Sequence, residues 1–242
     1  MESSAAIQLS LIEAIRRADR GGANALLDDW ATEHGYERLI GEVLEPTLVL
    51  IGEEWRSRES FSLAQMYVAA KVAEDVLTRI ASRRQVESET KPQNRPAILG
   101  NIEEDFHSLG RRMVGTFLRA EGWIIHDLGN DTPAAMFVNK ALEVGARVIG
   151  VSAMMFTTAL NIKLVRREID RRGLAGRIKL AVGGAVFLVS PGLVGEVGGD
   201  GTASNALDAV RIFDRLWKEA VAGERAYEQH GTSPTHPDGP TG

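Results

Sequence analysis

Cysteine is absent from the 242-residue chain. That excludes disulfides, thiolate metal sites and cysteine nucleophiles, and it fits a reducing cytoplasm. No run of about 18 apolar residues occurs, so no membrane-spanning helix is expected. The start, MESSAAIQLSLIEAIRRADR, lacks a basic segment followed by a long apolar core, so no secretory signal is expected either. A basic excess is also missing. Lys and Arg total 28 against 33 Asp and Glu, a net charge of −5, which leaves no footprint for nucleic acid. The basic pairs Arg16-Arg17, Arg83-Arg84, Arg111-Arg112, Arg166-Arg167 and Arg171-Arg172 are scattered and read as solvated helix faces.

What is present falls into two halves. Hydrophobic residues make up 44% of the chain, enough for a sizeable core. Residues 1–85 read as helix throughout, a small bundle. Gly21-Gly22 interrupts the first helical pattern, Pro46 is expected to open a new helix at its first turn, and Ser60 to cap a long one. Residues 86–96 are polar, carry two prolines and read as a linker. From Ala97 short apolar strands alternate with helices. The expected strands are 97–101, 123–128, 147–152, 178–184 and a weak 200–204; the expected helices are 108–121, 133–144, 158–173 and 204–221. The alternation over 97–222 predicts a five-stranded parallel, doubly wound sheet of flavodoxin or Rossmann type, so the whole chain reads as a helical bundle followed by an α/β domain. Residues 223–242 read as a disordered tail.

In such a sheet the strand C-termini share one edge, where ligands bind. The expected strand ends bring there Asp105, His107 and Gly110, then Ser152, Thr157 and Thr158, then Gly183-Gly184, and Asp200-Gly201. Nucleotide patterns are missing: no G-x-G-x-x-G follows the first strand and no G-x-x-x-x-G-K-[ST] exists. A receiver-type phosphorylation site needs an aspartate where the third strand ends in Ser152. What remains is a loop histidine two residues after an aspartate. A metal-bound histidine usually gives its other ring N–H to such a carboxylate, whereas a surface loop histidine near a helix start is the ordinary alternative. One histidine is too few for zinc, which takes three or four protein ligands. A metal here would have to bring most of its own coordination sphere.

Three motifs, in order, carry a resemblance: DFHSLG at 105–110, VSAMMFTT at 151–158 and VGGAVF at 182–187. With them residues 97–222 resemble the cobalamin-binding domain of corrinoid proteins and cobalamin-dependent methionine synthases. The resemblance implies that His107 is the lower axial ligand of cobalt, in place of the cofactor's own nucleotide base. It implies that Asp105 bonds the distal ring nitrogen and that Thr158 extends this relay. Gly110 would leave room for the nucleotide tail, Ser152 would bond the tail's base beside Met154, and Gly183 and Gly184 would let backbone pack against it. Ser108 and Thr157 fall within the same motifs. Glu104 stands where the family often has glycine, Ser108 where aspartate is frequent, Met154 where leucine is usual, and Phe156 where a smaller residue is common. Residues 44–77 resemble the helical cap of these proteins, with Trp55 and Met66 as candidates over the upper axial ligand or as ordinary bundle core.

Two functions follow from the resemblance. One is a methyl carrier on cobalamin, serving separate methyltransferase chains. The other is a cobalamin-dependent sensor, responsive to light or ligand, acting through a regulatory partner and without its own DNA-binding domain. Light-sensing relatives carry Glu-His ten and eleven residues after a cap tryptophan, where Trp55 is followed by Gln65 and Met66. Caps of this kind often pair, so a homodimer is a further expectation.

Overall fold

The computed structural model describes residues 3–56, 61–87 and 94–230. The chain divides into two compact units: Met1–Gln93 with Arg112–Gly122 and Asn205–Leu207, and Asn94–Arg111 with Trp123–Ser204 and Asp208–Gly242.

The helical unit opens with α1 (Ser4–Arg16) and α2 (Arg20–His34). The break between them falls before Gly21-Gly22, not at it. Ala18 turns the chain at φ 54°, and Asp19 caps α2 by accepting the Gly22 N–H at 2.8 Å. Both glycines therefore lie inside the first turn of α2.

Pro46 does not start a new helix. α3 (Tyr36–Leu39), a π turn (Ile40–Leu44) and α4 (Glu45–Arg56) run on without interruption. Proline lacks the N–H that would bond the carbonyl four residues back, Glu42. The helix widens just before it, so that the Glu45 N–H donates to Ile40 O. The Glu42 carbonyl, to which Pro46 cannot donate, accepts Nε2 of Gln8, from α1, at 2.6 Å.

α5 (Leu63–Glu87) begins with a reciprocal cap. The Ser62 N–H donates to Gln65 Oε1 at 2.6 Å, and the Gln65 N–H donates to Ser62 Oγ at 3.3 Å. Ser60, the cap expected from sequence, lies outside the described residues. Leu11, Ile15, Leu27, Leu39, Leu44 and Val72 form part of the buried core of this unit.

The second unit is a parallel sheet of order β2-β1-β3-β4-β5: β1 (Arg95–Asn101), β2 (Trp123–Asp127), β3 (Val148–Ser152), β4 (Lys179–Gly183) and β5 (Gly201–Thr202). The inner strands β1, β3 and β4 are continuous apolar runs because both of their faces are covered. The connecting helices are α6 (Leu109–Ala120), α7 (Ala134–Val144), α8 (Phe156–Leu160), α9 (Ile162–Arg171), α10 (Ala185–Val189) and α11 (Leu193–Glu196). The single helix expected over 158–173 is two, divided at Asn161. α10 and α11 were not expected.

α12 (Ala206–His230) is longer than expected and extends past residue 223. It is held at the N-terminal edge of the sheet. Arg95, the first residue of β1, bonds Asp214 at 2.6 Å; Arg147, just before β3, bonds Glu224 through Nε at 3.0 Å; Lys179, opening β4, lies 3.6 Å from Glu219. Trp123 meets Phe213 and Trp217 edge-on, with ring centroids 5.7 and 5.6 Å apart.

Replacing Gln8 with alanine removes its bond to the Glu42 carbonyl. Chemical denaturation should show a loss of about 1–2 kcal/mol.

Candidate functional site

The sheet order turns around at β1 and β3, the position where sheets of this order bind ligands at their strand C-termini. Register aligns Asn101 with Ser152 and Ser152 with Gly183, so three adjacent strands end abreast. Asp200-Gly201 do not join them. Asp200 precedes β5, and its carboxylate is taken by the Leu180 N–H at 2.7 Å and Arg166 Nη2 at 2.6 Å. The misplacement arises because β5 has only two residues.

After β1 the chain turns sharply. Glu104 takes a left-handed backbone, φ 68°, a conformation that favours glycine, the residue the family resemblance leads one to expect here. Its N–H donates to Asp131 Oδ1 at 2.8 Å, and the Asp131 N–H donates to Asp105 O at 3.1 Å. Of the next residues Asp105 turns inward, while Phe106 and His107 turn outward. Asp105 is 1% exposed and Phe106 64%; the His107 side chain is 53% exposed.

Asp105 accepts four hydrogen bonds. Oδ1 accepts from Asn101 Nδ2 at 2.7 Å and from the His107 N–H at 3.0 Å. Oδ2 accepts from the Met154 N–H at 2.7 Å and from Thr158 Oγ1 at 3.0 Å. Burial alone would push this carboxyl up. The four donors outweigh burial and hold it below the ordinary aspartate value of 3.8. The remaining approach to Oδ1 is the His107 ring, whose Nδ1 lies 3.5 Å away. An ionised carboxylate can only accept, so that face of the ring favours Nδ1–H and leaves the Nε2 lone pair directed away from it.

A bare metal ion has no cage here. Among the described residues no group of three or more His, Cys, Asp or Glu is placed to hold one. A metal already held in a macrocycle needs only an axial donor, and the exposed His107 ring fits that need. The surroundings fit as well. A Cβ added at Gly110 or Gly183 would meet nothing within 4 Å, so both border open space. Gly184 has another reason to be glycine: at φ 116° its Cβ would fall 1.9 Å from Ala153 O. Phe106, Met154, Met155, Phe156, Leu188 and Val189 are exposed apolar side chains on the loops and short helices that follow β1, β3 and β4. Apolar groups in such number on one edge mark a surface that is covered in use.

The family model of the B12 binding domain matches residues 95–211. A corrinoid protein of Desulfitobacterium hafniense is 34% identical over 216 residues, covering 86% of this chain and 98% of that one. The chain belongs to the corrinoid protein family. Cobalamin is its cofactor. Dimethylamine corrinoid protein 2 of Methanosarcina mazei is 40% identical over 111 residues, 46% of this chain and 51% of that one, so the match spans about half of that relative. The solved structure of the Methanosarcina barkeri monomethylamine corrinoid protein superposes with a TM-score of 0.74 at 27% identity, covering 87% of this chain and 98% of that one.

Of the candidate residues in this corrinoid protein, Asp105, His107, Thr158 and the Met154 backbone form one bonded cluster, and Ser152, Gly183 and Gly184 lie at the adjacent strand ends. Ser108 is half-buried, its N–H donating to Phe106 O at 3.1 Å, while Thr157 is exposed. Trp55, on α4, is exposed, and Met66, on α5, is half-buried; both belong to the helical unit. Two contributors were missed. Asn101, polar at the end of an apolar strand, is fully buried. Arg111, read from sequence as part of a solvated pair, is only 7% exposed and bonds Asn101 Oδ1 through Nε at 2.7 Å.

A left-handed non-glycine residue costs about 1–3 kcal/mol. Glu104→Gly should therefore raise the unfolding free energy by about 1 kcal/mol in denaturant titration. Because the folded pKa of Asp105 is lowered, its charge stabilises the fold above the ordinary value of 3.8 and that contribution fades as pH falls through the lowered folded value. Thermal melts of the cofactor-free protein should show Asp105→Asn less stable than the wild type at neutral pH, with the gap narrowing in acid.

Proposed function

We propose that this corrinoid protein carries a methyl group on cobalamin between separate methyltransferase chains, with the cofactor held base-off and His107 as lower axial ligand. When bound, the cofactor supplies a cobalt that accepts a methyl group from one partner's substrate and yields it to another's. The contact that carries the reading is His107 Nδ1 turned 3.5 Å from the carboxylate of Asp105, an arrangement that would leave Nε2 free to face a metal. Thr158 and the Met154 N–H hold the other carboxylate oxygen, so the ring's support is anchored on two strand-end loops. Gly110 and Gly183 border the space a displaced nucleotide tail would need, and Ser152 stands between β1 and β4 to bond its base. Two similar proteins, the dimethylamine and monomethylamine corrinoid proteins, bear names that tie them to methylamines, which supports a methyl-transfer setting. Trp55 and Met66 remain the candidates for the upper face.

The carrier reading is favoured over the sensor reading by Gln65. That side chain occupies the place of the glutamate in a light sensor's Glu-His pair, but it is engaged within the bundle at both ends of its amide. Its Oε1 caps α5 at Ser62, and its Nε2 donates to Arg16 O at 2.6 Å. Met66, the next residue, offers no imidazole.

His107→Ala should still bind cobalamin but lose the nitrogen-ligated absorption spectrum. An unchanged spectrum would remove His107 from the lower face. For the carrier role, the loaded and reduced protein should accept a methyl group from a methylamine-type methyltransferase. Rapid reorganisation of the adenosylcobalamin-loaded protein on illumination, with no methyl turnover, would favour the sensor instead.

A further inference from the structure

We infer that Asn101 and Arg111 form a positioning unit that fixes Asp105, and through it the His107 ring, in the orientation that presents Nε2 to cobalt. The inference rests on the reading of His107 as lower ligand and extends its support beyond Asp105 and Thr158.

The geometry is directional. The Arg111 guanidinium can only donate, and the Asp105 carboxylate can only accept. The Asn101 amide lies between them, with Oδ1 toward Arg111 Nε at 2.7 Å and Nδ2 toward Asp105 Oδ1 at 2.7 Å. Only one of the two amide orientations satisfies both neighbours. Arg111 thus decides which end of Asn101 faces Asp105. The same Nδ2 also donates to His107 O at 3.2 Å, so one amide holds the carboxylate that steadies the ring and the backbone that bears it. Asn101 cannot drift: its own N–H donates to Gly129 O at 2.9 Å, and its carbonyl accepts from the Thr132 N–H at 3.0 Å.

Arg111 is fixed in turn. It pairs with Asp127 at the end of β2 and donates through Nη2 to Asn130 Oδ1 at 3.1 Å. Asn130 Nδ2 reaches Phe106 O at 3.4 Å, a second hold on the histidine loop. The ion pair, buried on its Arg111 side, is weak evidence for stability, since apolar residues of similar size often serve as well. What an apolar residue could not do here is orient the Asn101 amide.

The test uses the full chain loaded with cobalamin and reduced to the Co(II) state. Electron paramagnetic resonance then reads the ratio of nitrogen-ligated to unligated cofactor, and melting of the cofactor-free protein monitors the fold. Asn101→Asp keeps an acceptor for Arg111 but puts a second carboxylate against Asp105. Arg111→Lys keeps the charge but loses the planar fork. Either change should lower the ligated ratio about tenfold, the scale on which outer partners act on a metal-bound histidine. A wild-type ratio in a folded variant, with or without a lower melting temperature, would make the pair merely structural and overturn the inference. If Asn101→Asp does not fold, Arg111→Lys decides by the same criterion. His107→Ala separates the two claims. Loss of the nitrogen signal there but in neither of the other variants defeats the positioning unit alone, whereas a persisting signal defeats the lower-ligand reading itself.

Discussion

A buried carboxylate must have its lone pairs filled, and Asp105 is where this chain meets that constraint. Water cannot reach it, so donors must come from protein. They come from the end of β1, from its own loop, from the loop after β3 and from α8. The loops that follow two neighbouring strands are thereby joined through one side chain. The exposed ring of His107 inherits its orientation from that junction. Without it the ring would sit on a free loop, with nothing to distinguish one nitrogen from the other.

The two edges of the sheet divide the work. At the strand N-termini, Arg95, Arg147 and Lys179 engage the acidic side chains of α12, while Trp123 packs against its aromatic residues. At the strand C-termini the polar groups turn inward to Asp105 and the apolar ones outward. Phe106, Met154, Met155 and Phe156 stay in solvent, which is costly unless a flat apolar surface covers them. A corrin is such a surface, and its metal brings its own equatorial ligands, so one histidine would suffice.

The sheet was legible from sequence to within one or two residues at most strand ends, because strands buried on both faces must be apolar runs between turn residues. The Asp-x-His pair, Ser152 and the glycine pair were legible as a motif. Elsewhere local rules misled. Pro46 looked like a helix start because the remedy for its missing N–H, the side chain of Gln8, lies 38 residues away. The Arg111-Arg112 pair looked like a solvated face because the partners that hold Arg111, Asn101 at the end of β1 and Asp127 and Asn130 at and after the end of β2, lie on separate segments of the chain. Asp200 was assigned to the wrong end of a strand too short to show its direction.

By itself the sequence determined the class of each half, the order of the strands along the chain and the residues able to meet a cofactor, since these follow from periodicity, turn chemistry and side-chain type. The tertiary structure alone decided how those residues are arranged. Which nitrogen of His107 faces outward, why Glu104 tolerates a left-handed turn, why Gly184 can carry no side chain, and what a buried arginine does beside the site all depend on atoms far apart in the chain. Hydrogen-bond direction and close backbone approach are properties of that proximity, and no local pattern encodes them.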